Sequence, residues 1–217
     1  MNSENAVVIE FFGEGKTDIG PSSAPTPPTA GVVPILVHQL CDRPATMRVK
    51  RRSFAFLQGK SLAQKVRFAK RQAFYNRSAG AVFVMDSEGD ERKRQKVLDE
   101  MVRGRSQEPA SLPLAVGVAQ PCIEAWLLVD QRAVQHAARV QEPLEFPADP
   151  ESLPAPCDNA TSNPKAILIH WGVRSAAQKD RVALAISDPH LLEERCPRGF
   201  GRFAQEIRQF IRPLFSD

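Results

Sequence analysis

The chain has 217 residues, 42% apolar and 25% charged, with a net charge of +4. That is long enough for one α/β domain with a real core and short for two. No apolar run reaches the roughly 18 residues of a membrane span, and the opening MNSENAVVIEFF lacks the basic start and long apolar core of a signal peptide. The mild basic excess permits a polyanionic partner without requiring one.

Ala6 to Phe12 (AVVIEFF) reads as a short strand that ends in a tight turn at Gly13-Glu14-Gly15. Residues 19–31, IGPSSAPTPPTAG, are a proline-rich surface loop, because a helix cannot continue through them. Val32 to Leu40 fits a short helix with Pro34 in its first turn. Residues 47–57 read as a strand with a basic exposed side, and Lys60 to Arg77 as a basic amphipathic helix. Ala81 to Met85 (AVFVM) is the clearest strand, apolar enough to be buried on both faces. Asp86-Ser87-Glu88-Gly89-Asp90 follows it, then a charged helix to about Arg103.

Leu114 to Val118 is another strand, followed by a helix from Pro121 to about Asp130. Residues 141–162 are loop-like. Asn163-Pro164-Lys165 opens a helix, and two or three more follow in a helical C-terminal part spanning about 163–217. Strands alternating with helices imply an α/β domain with a mostly parallel, Rossmann-like sheet flanked by helices. Ligands of such sheets bind beyond the carboxyl ends of the strands.

Acids cluster at those ends. Glu14 follows the first strand, with Asp18 four residues on; Asp86 follows AVFVM, with Glu88 and Asp90 two and four along. If the two strands are neighbours, the carboxylates converge, and a shared crevice of like charges calls for a cation. Oxygen ligands favour Mg²⁺ or Mn²⁺. The alternative is that these acids are helix caps and solvated turn residues. Cys41, Cys122, Cys157 and Cys196 lie far apart with no C-x-x-C pair, which speaks against a structural zinc site and for reduced thiols in the cytosol. His38, His136, His170 and His190 show no metal-ligand spacing.

The run Phe12-Gly13-Glu14-Gly15-Lys16-Thr17-Asp18 resembles the first motif of Toprim domains, a strand ending in Glu-Gly with an acid beyond. Val82 to Glu88 is similar to their second motif, a strand ending in D-x-D, with Glu88 standing where the second Asp is usual. Ile123-Glu124-Ala125-Trp126-Leu127-Leu128 and Asn163-Pro164-Lys165 bring the resemblance closest to a Toprim-like family of bacterial proteins often encoded beside ATPases in phage-defence clusters. It covers roughly residues 6 to 170, with long unmatched stretches between motifs.

The resemblance implies a metal-dependent nuclease subunit that cleaves phosphodiester bonds, DNA being the expected substrate, with an ATPase partner in anti-phage defence. On that expectation Glu14, Asp86, Glu88 and Glu124 hold Mg²⁺ or Mn²⁺, Glu14 alternatively serves as general base, and Lys165 steadies charge on the phosphate. Asp18 and Asp90 are possible additional ligands. The other readings are a structural ion pair for Glu124, a solvated first-turn lysine for Lys165, and for the whole chain a non-cleaving Toprim-like docking or regulatory subunit. A P-loop is disfavoured: position 10 would have to be glycine and is Glu10, and a proline-rich loop stands close behind Lys16-Thr17.

Between Arg43 and Arg77 there are eleven Lys or Arg and no Asp or Glu. Beside an acidic metal site such a segment suits phosphate binding, with Arg51, Arg52, Lys70 and Arg71 as candidate contacts. A docking surface for an acidic protein is the alternative. The interleaved Phe54, Phe56, Phe68, Phe74 and Tyr75 recur at helix and strand periods and read as core residues.

Overall fold

The computed structural model describes residues 6–21, 30–54, 57, 59–107, 111–155 and 161–216, the side chains of Lys16 and Thr17 excepted. Most of the proline-rich stretch, Phe56, Cys157 and part of the 141–162 loop lie outside these described residues.

Strands β1 (Val7–Gly13), β2 (Met47–Ser53), β3 (Gly80–Asp86) and β4 (Leu114–Ala119) form one sheet in the order β2-β1-β3-β4. Every pairing is parallel, with Phe12 opposite Phe83 and Asp86 opposite Ala119. The chain leaves β1 toward one edge, β2, and then crosses back over β1 to build β3 and β4. The order therefore reverses between β1 and β3, and the crevice of an open α/β sheet forms at such a reversal. The α/β expectation holds, including the parallel sheet and its flanking helices.

Alternation along the strands divides the core in two. Ile9, Phe11, Val82, Val84 and Ala115 face one side, while Phe12, Ala81, Phe83, Leu114 and Val116 face the other. The second side is covered by α3 (Leu62–Tyr75) and α4 (Glu91–Ser106). The first is covered by α2 (Val32–Leu40), α5 (Glu124–Leu127), α6 (Gln131–Ala138), α7 (Pro164–His170), α8 (Ala176–Ala185), α9 (Pro189–Arg195) and α10 (Arg202–Phe210). The C-terminal helices thus belong to the main core: Leu168, Val182, Leu192, Phe203 and Ile207 pack in one cluster with Ile9 and Val82. Trp126 anchors α5, lying flat on Phe203 at 5.6 Å and edge-on to Phe200 at 5.3 Å.

Two stretches differ from the sequence expectation. The basic strand stops at Ser53 and not near residue 57. Helix α6 has little signal in the sequence, because QRAVQHAA offers only alanines and one valine as an apolar face. At the start of the chain, one helical turn, α1 (Lys16–Ile19), follows β1. The described residues on either side of the proline-rich stretch touch. Gly31 sits at φ +86°, and a Cβ there would lie 2.3 Å from the Ile19 carbonyl carbon and 2.4 Å from the Gly20 nitrogen. Only glycine tolerates that approach and that backbone angle.

Candidate metal centre

Asp86 is the last residue of β3 and only 7% exposed. Its Oδ1 accepts the Ile123 N–H at 2.9 Å, tying the strand end to the turn that enters α5. The loop between them is braced: the Ser87 N–H donates to Ala119 O and the Glu88 N–H to Pro121 O. The Ser87 hydroxyl donates to Gln120 Oε1 at 2.9 Å. These bonds place Glu124, five residues beyond β4, beside Asp86. Glu124 is 3% exposed. Ligand atoms of Asp86, Cys122 and Glu124 all lie within 4.8 Å of one another, the single such group among the described residues.

Two lysines face this pair. Lys179 on α8 donates to Glu124 Oε1 at 2.6 Å. Lys165, in the first turn of α7, has its Nζ 3.9 Å from Asp86 Oδ2 and 4.0 Å from Glu124 Oε2. Asn163 caps that helix through Ala166 N–H at 2.9 Å, and Pro164 occupies the first turn, where its missing N–H costs nothing. Glu124 Oε2 is buried without a hydrogen bond. A buried charged oxygen is costly unless something satisfies it, and a carboxylate oxygen so placed beside a second carboxylate could serve as a cation ligand.

The electrostatics follow from burial and crowding. Asp86 is pushed well above the usual carboxylate range, by burial first and then by Glu124 and Asp18, against the Ile123 N–H and Lys165. Asp18 is raised to about 6 by burial and by Glu124, although its carboxylate accepts the Gly15 N–H at 3.1 Å. Glu14, half-buried, is raised by burial, then by Glu88 and Asp18. Burial alone lowers Lys165, and Glu124 and Asp86 more than offset it, so its net direction is upward. The Cys122 thiol is pushed far up by burial and the adjacent carboxylates, so it stays protonated. Among the three, oxygen ligation therefore falls to Asp86 and Glu124, a donor set that fits a hard divalent cation.

The candidate residues separate as follows. Asp86, Glu124 and Lys165 meet closely at the end of β3, while Glu14 and Asp18 stand outside that close group and share its electrostatic field, Asp18 with Glu124 and both with Lys165. Glu88 is exposed at its rim, at φ +49°, and acts on Glu14. Asp90 caps α4 by accepting the Lys93 N–H at 2.9 Å, so the helix-cap reading applies to it. Cys122 and Lys179 were not foreseen. Cys122 stands two residues before Glu124, a spacing with no metal signature. Lys179 lies 55 residues from its partner, and no local pattern joins them.

The basic segment also divides. Arg51 and Lys70, expected on an exposed face, are each 6% exposed. Arg51 donates to Ala30 O at 3.2 Å and Lys70 to Arg105 O at 3.2 Å. Arg52 is exposed and donates to Glu10 Oε1 at 2.9 Å. Glu10 is fully buried in β1 and also accepts from Asn76 and Ser78, so position 10 is a network centre and not a loop residue of a phosphate cradle. Arg71 remains exposed on α3. Phe54 and Phe68 pack against the core as expected. Phe74 and Tyr75 do not, at 55% and 71% exposed. Neither a protein-family model, nor a curated protein, nor a solved structure matches the chain.

Proposed function

We propose that this protein is a Toprim-like, metal-dependent nuclease subunit acting on DNA, with an ATPase partner in anti-phage defence. The reading is carried by one observation: buried Asp86 and Glu124 meet at the reversal point of the sheet with a Glu124 oxygen left unbonded, and Glu14, Asp18 and Glu88 gather around them. Asp86 and Glu124 would hold Mg²⁺ or Mn²⁺, with Glu14 and Glu88 at the open side. A divalent cation there supplies Lewis acidity toward a phosphate oxygen and makes a nucleophilic water accessible near neutrality. Glu14, whose pKa is shifted toward neutrality, suits the role of proton acceptor from that water. Lys165, 43% exposed on its side chain, faces outward enough to meet a phosphate while its ammonium stays aimed at the acids. Lys179 holds one Glu124 oxygen, and the other lies 4.0 Å from the Lys165 ammonium.

A second reading, a non-cleaving docking or regulatory subunit, draws on the same two lysines. A carboxylate pair already neutralised by Lys165 and Lys179 is a self-compensated polar core that needs no ion. A Mn²⁺ titration coupled to a DNA cleavage assay separates the two. The nuclease reading expects saturable binding that Asp86→Asn weakens at least tenfold, and cleavage that the same variant abolishes. Saturable binding without product from the wild type supports the docking subunit. Unaltered binding and cleavage by folded Asp86→Asn removes Asp86 from the site.

A further inference from the structure

Helix α3 carries one surface that packing explains and one that it does not. Its inward face is made of small or short side chains, Ala63, Val66, Ala69 and Ala73, and these seat it on the sheet. Its outward face presents Gln64, Arg67, Arg71, Phe74 and Tyr75, all exposed. At about 100° per residue these five fall within a sector of about 100°, one stripe along the helix. Arg67 and Arg71 are one turn apart, and the stripe ends in the aromatic pair, whose rings meet edge-on at 6.0 Å. No acid occurs in the helix or anywhere from residue 43 to 77.

The stripe also has a direction. The N-terminal end of α3 lies toward the crevice, where Lys65 acts on Glu14. The C-terminal end, with Phe74 and Tyr75, leads into the turn before β3 and so lies at the opposite end of the sheet. Fourteen residues at about 1.5 Å each span roughly 20 Å between the two. Two side-by-side aromatics more than half exposed are poor solvent-facing residues and good platforms for unpaired bases. A duplex keeps its base faces covered and offers them nothing, whereas a single strand offers both a face to stack and a phosphate chain to neutralise.

We infer that the exposed face of α3 is a track for single-stranded nucleic acid, with bases stacked on Phe74 and Tyr75 and phosphates on Arg67 and Arg71, leading toward the acidic crevice. This rests on the nucleic-acid reading of the site and names its substrate class, but it does not depend on the metal chemistry.

The test is fluorescence anisotropy of the full chain, in EDTA, with a labelled mixed-sequence 20-mer and a duplex of the same sequence. The wild type binds the single strand more tightly. Phe74→Ala with Tyr75→Ala weakens single-strand binding at least about fivefold, the low end for losing an aromatic platform, and leaves duplex binding and the melting temperature nearly unchanged. Arg67→Gln with Arg71→Gln reduces the slope of log K against log salt by about 1.4, at about 0.7 per phosphate contact on a single strand. Full single-strand affinity in the aromatic variant, or an equal loss on the duplex, overturns the track. So does a wild type that binds no single strand while either variant loses a co-purifying protein, which would make α3 a protein-docking face. Cleavage in Mg²⁺ is scored separately. Binding without cleavage sinks the nuclease reading and spares the track, and cleavage with normal binding by the aromatic variant does the reverse.

Discussion

Asp18→Asn should stabilise this protein, and by an amount that depends on pH and on divalent metal. Asp18 is raised from 3.8 to about 6, with burial the first cause and Glu124 the second. A carboxyl that holds its proton longer when folded than when unfolded makes ionisation a cost to the fold. The cost is absent well below pH 3.8, grows as pH rises between 3.8 and about 6, and is complete above that range. At about 1.4 kcal/mol per pKa unit it reaches about 3 kcal/mol at pH 7.5, against about 1 kcal/mol at pH 4.5. Asparagine keeps an oxygen for the Gly15 N–H and removes the charge, which also relieves Asp86 and Glu14. In a chain of this size the gain corresponds to a rise in Tm of about 6–12 °C in EDTA at pH 7.5. Saturating Mg²⁺ should shrink that difference, because the ion neutralises in the wild type what the substitution removes. Thermal melts of both proteins at the two pH values, with EDTA and with Mg²⁺, read all of this. An Asp18→Asn protein no more stable than wild type at pH 7.5 in EDTA would refute the reasoning, as would an advantage equal at the two pH values.

Two more substitutions probe other parts of the molecule. Glu14→Gln should leave the melting temperature within a few degrees of wild type and lower any metal-dependent cleavage by about 10² or more, the scale of a lost acid or base; a near-normal rate in a cleavage time course would return Glu14 to the status of a turn residue. Glu10→Ala should cost about 3 kcal/mol in urea unfolding, because it strips Asn76 and Ser78 of a buried acceptor and Arg52 of its partner, and a loss under 1 kcal/mol would mean that water serves those groups as well.

The sheet and the first half of the crevice were legible because their signals are local. AVVIEFF and AVFVM are apolar runs that stop at acids, and helices alternating with strands make parallel neighbours of β1 and β3. Glu124 was legible through the resemblance carried by the run Ile123 to Leu128, and no local ligand spacing marks it. What lay hidden was pairwise. Glu10 sits in an apolar run, and nothing in its neighbours announces Asn76, Ser78 and Arg52. Lys179 is one of several charges on a helix of weak amphipathic character, and only the packing of α8 beside α5 brings it to Glu124. Arg51 and Lys70 look like Arg52 and Arg71 in composition; the strand alternation and the helix rotation, not the residue type, turn the first two inward. Phe74 and Tyr75 pass for core by composition, yet the rotation of α3 sets them on the outward stripe with Arg67 and Arg71 while Ala73 turns inward.

The meeting of Gly20 and Gly31 makes the stretch between them a port. Where two chain positions eleven residues apart touch, as Gly20 and Gly31 do, length added or removed between them need not change strand register or the span to be bridged. Loop entropy then grows slowly, by about 0.6 kcal/mol for each doubling of length. A fluorophore-bearing peptide or a small folded tag spliced between Pro21 and Ala30 would leave intact the Ala30 carbonyl that Arg51 grips and the Gly31 N–H that donates to Asp180 at 2.9 Å. It would also sit one short helical turn from Asp18. The protein thus carries, on its own backbone, an attachment point from which events in the acidic crevice can be reported.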